Sequence, residues 1–285
     1  MADFLIGEDF HGSRADRFLR KTFSEIPLSR LYKDLREKKI CCNGKPLREK
    51  DRLSAGDLIT VPYEKKTQCA EVVYDGSPFP YPLLYEDEQM AVIDKPGGVV
   101  VHKGSGHKEG VTEMFRRAFA LPEASPAHRL DKATSGLFIM AKNRAAVRKL
   151  TALIREGGVL KHYIAVVSGD VPPGTMLMHD KIIREEDGSR ISLSQGKEAL
   201  GELKLMKRGD GLSLVEIRLI TGRTHQIRLQ LAARGWPIIG DGRYGIKRNG
   251  PMYLCSWRLF IPSMEVHIQK NIPESFIEVL NQGIL

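Results

Sequence analysis

The sequence predicts an α+β protein in two parts: a small helix-helix-hairpin domain over residues 1–63 and, beyond a linker at 64–82, a larger domain over 83–285 built on a mixed or antiparallel sheet. Three observations lead there. A length of 285 residues is generous for one compact core and suits a main domain with a small companion. Residues 64–82 mix charge, glycine and three prolines with no sustained period, which is the composition of a linker. Past that stretch, strand-like runs outnumber helical ones and do not alternate with them as a doubly wound parallel sheet requires.

From Ser13 to Phe23, the residues Ala15, Phe18, Leu19 and Phe23 share one helical face, with Ser13 as N-cap and Arg14, Arg17, Arg20 and Lys21 largely off that face. Pro27 interrupts this helix. A second spans Ser29 to Glu37, with Leu31, Tyr32 and Leu35 inward and Arg30, Lys33 and Arg36 outward. Asn43-Gly44 within I-C-C-N-G-K-P-L marks a tight turn, and L-S-A-G-D-L-I-T-V reads as a turn leading into a strand. In the larger domain the strand runs are M-A-V-I-D, G-L-F-I-M-A, Y-I-A-V-V, L-S-L-V-E-I-R-L and Y-L-C-S-W-R-L-F-I. Helices fit Val111 to Phe119, Arg144 to Glu156 and Gln226 to Arg234.

Hydrophobic residues make up 42% and charged residues 28%, which excludes a disordered or collagen-like chain. Lys and Arg outnumber Asp and Glu by 44 to 35, a formal charge of +9 that suits a polyanionic partner such as nucleic acid, although solubility alone also accounts for it. No apolar run approaches a membrane span, and M-A-D-F-L-I-G-E-D-F lacks the basic start and long apolar core of a signal peptide, so the cytoplasm is the expected location. The four cysteines (Cys41, Cys42, Cys69, Cys255) form neither a disulfide framework nor a zinc pattern, and no structural metal is expected.

The densest chemistry lies in H-R-L-D-K-A-T-S-G-L, from His128 to Leu137, directly before a strand run. Taken bare, it also reads as a solvated turn in which Asp131 and Thr134 cap local backbone groups. T-G-R-T-H-Q-I-R-L, from Thr221 to Leu229, follows an alternating strand; Thr221 or Thr224 can cap a helix that carries Arg228 in its first turns. In K-H-Y-I-A-V-V, alternation puts Lys161 and Tyr163 on one side of a strand and His162 on the other. The bland alternatives are a surface arginine and a core tyrosine.

At these three segments the sequence resembles the RluA family of pseudouridine synthases: H-R-L-D-x-x-T-S-G, K-x-Y some thirty positions later, and T-G-R-T-H-Q-I-R with G-W-P-I-I-G-D-G-R-Y-G behind it. L-L-Y-E-D-E-Q-M-A-V-I-D-K-P-G-G-V-V-V-H, from Leu83 to His102, is similar to the family's first strand and Lys-Pro-Gly turn. The likeness runs from Leu83 to the C-terminal region. The small domain resembles, more loosely, the αL RNA-binding motif of the fourth small-subunit ribosomal protein. The chain departs from the family's frequent residues at Gln230, where His is common, and at Leu254-Cys255-Ser256, where Leu-His-Ala is common. None of these belongs to the implied catalytic set.

The resemblance implies an RNA pseudouridine synthase that needs no cofactor and no metal, because breaking N1–C1′ and making C5–C1′ is an internal rearrangement; the sequence also lacks a convincing dinucleotide fingerprint or P-loop. It implies Asp131 as the reacting carboxylate, acting as nucleophile at C1′ or as the base of a glycal route. It further implies that Arg228 pairs with Asp131 and aims it, that Tyr163 lies against the uracil and helps remove the C5 proton, and that Arg129 fills the space left by an extracted uridine. Arg14, Arg17, Arg30, Lys33 and Arg36 are the expected RNA contacts of the small domain. Ribosomal RNA of the large subunit is the expected target, with transfer RNA as the other candidate, and a monomer is the expected form. The rivals are a ribosome-assembly factor that keeps the fold without the chemistry, and a metal-dependent nuclease using Asp131, His128 and Asp241.

Overall fold

A computed structural model describes residues 2–7, 10–23, 26–63, 78–103, 109–185 and 188–282. The chain divides into two compact units, Met1–Ala70 and Glu71–Leu285. Most of the stretch read as a linker, at 64–77, lies outside the described residues. Its last part belongs to the larger unit's core: the Phe79 ring stands edge-on to Phe115 at 5.4 Å and packs with Tyr81.

The first unit is more than two helices and a hairpin. Strand β1 (Ala2–Leu5) precedes helices α1 (Ala15–Thr22) and α2 (Leu28–Arg36), and β2 (Cys41–Cys42), β3 (Lys45–Pro46) and β4 (Leu58–Val61) follow. Together the strands make a sheet of order β1-β4-β2-β3. Sequence reading missed β1, whose four residues are too few to display a period; its pairing with β4 is what defines it. Ala15, Phe18, Leu19 and Phe23 are buried together with Leu31, Leu35, Ile40 and Ile59. The N-cap is Arg14 rather than Ser13, and among the described residues no side chain caps the helix; the Arg14 guanidinium instead grips Asp16 at 2.8 and 3.1 Å. Asn43 and Gly44 both take positive φ, the conformation that a two-residue turn between right-twisted strands demands.

In the second unit β5 (Leu83–Glu86), β6 (Met90–Lys95), α3 (Val111–Phe119), β7 (Ser125–Pro126), β8 (Ser135–Ala141), α4 (Arg144–Arg155) and β9 (Leu160–Ser168) come first. There follow β10 (Thr175–Glu185), β11 (Gly188–Ser192), β12 (Lys197–Arg208), β13 (Leu212–Leu219), α5 (Gln226–Ala233), β14 (Leu254–Ile261), β15 (Val266–Gln269) and α6 (Glu274–Gln282). The main sheet runs β11-β10-β12-β13-β9-β14-β8-β6-β5, with β15 on β14 and β7 on β8. Its pairs are antiparallel except β14 with β8, so the sheet is mixed and the class is α+β. One face carries α3 and α5 over Tyr163, Ala165, Val167, Ile217 and Leu254. The other carries α4 over Leu137 and Ile139, and α6 over Ile164 and Val166. Among the described residues no helix is long and apolar enough to cross a membrane.

The parallel contact between β8 and β14 is close at one point. Gly136, at φ +103°, faces Ser256, and a Cβ there would stand 2.1 Å from the Ser256 carbonyl oxygen. Gly136 closes the motif that begins at His128, so its small size sets how near that turn approaches β14. Gly136→Ala should cost about 3–5 kcal/mol through strain and overpacking together. Gly174→Ala, at φ +97° with nothing within 4 Å, should lose only about 1–2 kcal/mol. Urea unfolding of both variants checks this, and equal losses would refute the close approach.

Candidate active site

The turn between β7 and β8 presents Asp131. The Thr134 amide donates to the Asp131 carbonyl at 3.1 Å, and the Gly98 amide donates to the Lys132 carbonyl at 2.8 Å, so the Lys-Pro-Gly turn after β6 lies directly beneath. Lys95, fully buried, drives its ammonium into this junction and donates to the carbonyls of Pro96 (2.9 Å), Val99 (2.9 Å) and Lys132 (3.3 Å). Burial pushes that ammonium down to about 8, against the pull of the Asp131 carboxylate. One buried cation thus ties two sequence motifs together by carbonyl acceptors alone.

Helix α5 supplies the second half. Its N-cap is His225, in the left-handed region at φ 58°, and not Thr221 or Thr224. Gln226 displaces them, because its Oε1 accepts from the Thr221 hydroxyl (2.8 Å) and the Arg223 amide (3.0 Å). Arg228, one turn in, is buried and forked: Nε and Nη2 donate to the two oxygens of Asp241 at 2.8 and 2.7 Å, while Nη1 donates to Asp131 Oδ2 at 3.2 Å. Burial would raise the Asp241 carboxyl, but the Arg228 bonds and the amides of Arg243 and Tyr244 hold it below its ordinary range. The Tyr244 ring lies 5.0 Å from the Arg228 guanidinium carbon, and its hydroxyl meets His225 Nδ1 at 2.9 Å. His225 Nε2 stands 3.8 Å from Asp131 Oδ2, and burial pushes its imidazole down. Among the described residues nothing bonds Asp131 Oδ1, and the side chain remains 28% exposed.

Strand β9, central in the sheet, forms the wall. Its Lys161 and Tyr163 both point into the same cavity as Asp131 and Arg228, a space of about 510 Å³, within the usual size of a small-ligand site. His162, on the opposite side, pairs with Glu216 at 3.0 Å. Burial first, and then the charge of Asp131, push the Tyr163 phenol up, so it is protonated in the resting site. His128 is structural: Nε2 accepts from the Ile139 amide at 3.1 Å, the ring packs on Phe138, and burial followed by the Lys161 ammonium pushes the imidazole down.

Asp131, Tyr163 and Arg228 therefore come together, and Arg129 stands exposed at the edge of the same cavity. Arg14, Arg17, Arg30, Lys33 and Arg36 are exposed on the first unit; Arg30 faces Asp34 at 3.7 Å and Lys33 faces Glu37 at 3.8 Å. Sequence reading missed Asp241 as Arg228's main partner, and missed His225 and Tyr244 altogether. The signal for Asp241 was the G-D-G-R-Y-G turn, where a carboxylate between glycines reads as surface. The nuclease grouping is not assembled, since Asp241 is engaged by Arg228 and His128 by Ile139. Gln230, where the chain departs from the family pattern, is fully buried and donates to Asp180 (2.8 Å) and the Ala199 carbonyl (3.0 Å), joining α5 to the sheet.

Residues 89–233 match the family model described as RNA pseudouridylate synthase. Ribosomal large subunit pseudouridine synthase C of Vibrio parahaemolyticus is 33% identical over 288 residues, covering 96% of this chain and 90% of that protein. The protein of the same name in Escherichia coli is 35% identical over 252 residues, covering 84% and 78%. Among solved structures, human RNA pseudouridylate synthase domain containing 1 superposes with a TM-score of 0.59 at 27% identity, over 69% of this chain and 85% of that one.

Asp241 lies outside the matched segment, yet geometry makes it the support of Arg228. Asp241→Asn should cost about 3–5 kcal/mol at neutral pH, the penalty of breaking a buried ion pair. A carboxyl held low in the folded state stabilises above its unfolded value, 3.8, and that contribution fades as pH falls through the lower folded value. Urea unfolding of the wild type and Asp241→Asn should therefore show a stability gap that narrows below pH 3.8. A gap independent of pH would refute the pairing.

Proposed function

The chain belongs to the RNA pseudouridylate synthase family, which isomerises uridine in RNA, and from that premise we propose that Asp131, Tyr163 and Arg228 carry the reaction on uridines of large-subunit ribosomal RNA. One observation carries the site assignment: the Asp131 carboxylate, held through a single oxygen by Arg228 at 3.2 Å, keeps the other oxygen free toward the cavity. The names of the relatives support the ribosomal target, with transfer RNA as the competing substrate. A catalytically silent assembly factor is not favoured. The proposed residues all come from one chain, which supports a monomer, and a ribosomal substrate supports a cytoplasmic location.

The reaction breaks N1–C1′, turns the uracil and joins C5 to C1′. Asp131 supplies the electron pair, either at C1′ as nucleophile or at the C2′ proton as the base that opens a glycal. Tyr163 walls the uracil, and its phenol is held protonated by burial first and by the charge of Asp131 second. The C5 proton leaves only after C5–C1′ has formed and Asp131 has been released as a carboxylate, which accepts it while N1 regains a proton, so none is gained or lost overall. Tyr163 helps as a relay, passing on its own hydrogen as it accepts the one from C5. Extracting the uridine from a stacked helix costs a few kcal/mol, and Arg129 at the cavity edge offsets this by stacking in the vacated space. The first unit, read as an αL-type RNA-binding domain, adds phosphate contacts through its exposed cations.

Asp131→Asn preserves shape and removes charge. Pseudouridine formation in large-subunit ribosomal RNA, mapped with carbodiimide chemistry, should fall by about 10³-fold or more while RNA binding persists. Near wild-type turnover would overturn the assignment. Replacing Arg17, Arg30 and Arg36 by glutamine should weaken binding, reduce the slope of log K against log salt by about 0.7–0.9 per lost phosphate contact, and leave turnover at saturating RNA nearly unchanged. An unchanged slope would show that these arginines face only solvent.

A further inference from the structure

Lys161 is a buried ammonium without a counter-charge. It is only 8% exposed, and among the described residues no hydrogen bond or ion pair holds its Nζ. Its backbone is fixed in the sheet, opposite Leu219 of β13 on one side and Leu259 of β14 on the other, so the side chain is held at the cavity. The ammonium reaches the Thr221-Gly222 turn, where a Cβ on Gly222 would stand 3.9 Å from it.

The other buried cations of this region are satisfied. Lys95 donates to three carbonyls, and Arg228 spans two carboxylates. Asp131 is the only carboxylate in the cavity lining among the described residues, and it is the partner of Arg228. A cation removed from water and left unpaired is destabilising, so Lys161 is a liability to the free protein. A ligand that brings a full negative charge relieves it. The uracil and ribose of a uridine in RNA are neutral, and the anionic part is the phosphodiester. Lys161 stands two residues from Tyr163 along an extended strand, about 6.6 Å, a span comparable with that between a nucleotide's base and its own backbone.

We propose that Lys161 binds a non-bridging oxygen of a phosphate flanking the extracted uridine, and so sets where C1′ stops relative to Asp131. This rests on the reading of the cavity as the uridine site. It makes Lys161 a substrate-binding residue within the pocket, distinct from the exposed cations of the first unit. A hydrogen bond to a uracil carbonyl is the competing role, and the charge of the partner separates the two.

The test uses the full chain and short RNA stem-loops containing a uridine that the enzyme modifies, with either the 5′ or the 3′ phosphate of that uridine replaced by a neutral methylphosphonate. On native RNA, Lys161→Met should lose about tenfold to a hundredfold in kcat/KM and in affinity, the worth of a hydrogen bond to a charged group. One of the two methylphosphonates should cost the wild type a similar factor and cost Lys161→Met nothing more, and Lys161→Arg should recover part of the loss. Losses that multiply at both phosphates would overturn the proposal and favour the uracil carbonyl. Without RNA, the thermal midpoint of Lys161→Met should equal or exceed that of the wild type; a clear drop would show that Lys161 serves the fold and overturn the proposal. Should the wild type form no pseudouridine in any RNA, the family reaction would fail for this chain, and the same cycle read by Kd still decides the phosphate contact.

Discussion

The guanidinium of Arg228 holds three distant stretches of chain in one geometry. Its Nε and Nη2 are spent on Asp241, leaving Nη1 for Asp131. The division matters because a guanidinium meeting a lone carboxylate tends to grip both oxygens, in the parallel two-bond arrangement that arginine and carboxylates favour. Such a grip on Asp131 would occupy the oxygen that the proposed reaction uses. Asp241 prevents it by taking the fork from behind, so that Asp131 is oriented through one oxygen and left open at the other. The buried pair also fixes the spacing of α5 from the turn before β8, since a shift of either would leave charge unpaired in a place where that is expensive.

Lys95 does for the backbone what Arg228 does for the side chains. Its three carbonyl acceptors come from the turn after β6 and from the Asp131 turn itself, so the carboxylate rides on a junction that is closed from inside. Gly136 completes the arrangement by letting β14 come within contact of the end of that turn. Backbone and side-chain constraints therefore converge on the same residue, as the role proposed for Asp131 requires if its position is to hold while a bulky polyanion binds.

Much of this was legible in the sequence because the residues concerned obey a period or a motif. In the larger unit α3, α4 and α5 were readable from apolar spacing while α6 was missed, and α3 has the bounds that spacing gave, sharpened by Glu113 accepting from the Gly110 amide at its start. Lys161 and Tyr163 were placed on one face by strand alternation alone. The long β10–β12 region was not readable, because polar residues such as His179, Asp180, Lys181 and Glu198 interrupt its apolar pattern and its pairing is settled by neighbours in the sheet. The cap of α5 was misread for a local reason: Gln226, buried beneath the turn, takes the bonds that a threonine offers in an isolated helix. The pairing of Asp241 with Arg228 escaped notice because a sequence displays a carboxylate's type and neighbours, whereas its role depends on a guanidinium thirteen positions away that burial forces against it.

The charge of the cavity wall connects the chemistry to the partner. Among the described residues the lining holds Arg129, Arg155, Lys161, Arg223 and Arg228 against the single carboxylate Asp131. The two imidazoles there, His128 and His225, are pushed down by burial and add no positive charge at neutral pH. An ordinary pocket for a neutral base would not need such an excess, because a uracil offers only carbonyl and amide groups. The excess is accounted for if the pocket receives the base together with its backbone, with the negative charge of the phosphates meeting the exposed Arg129 and Arg155 at the rim and the buried Lys161 within. On the proposed reading, binding energy from the backbone then offsets the cost of drawing the uridine out of its stack, and C1′ is brought to Asp131 already oriented.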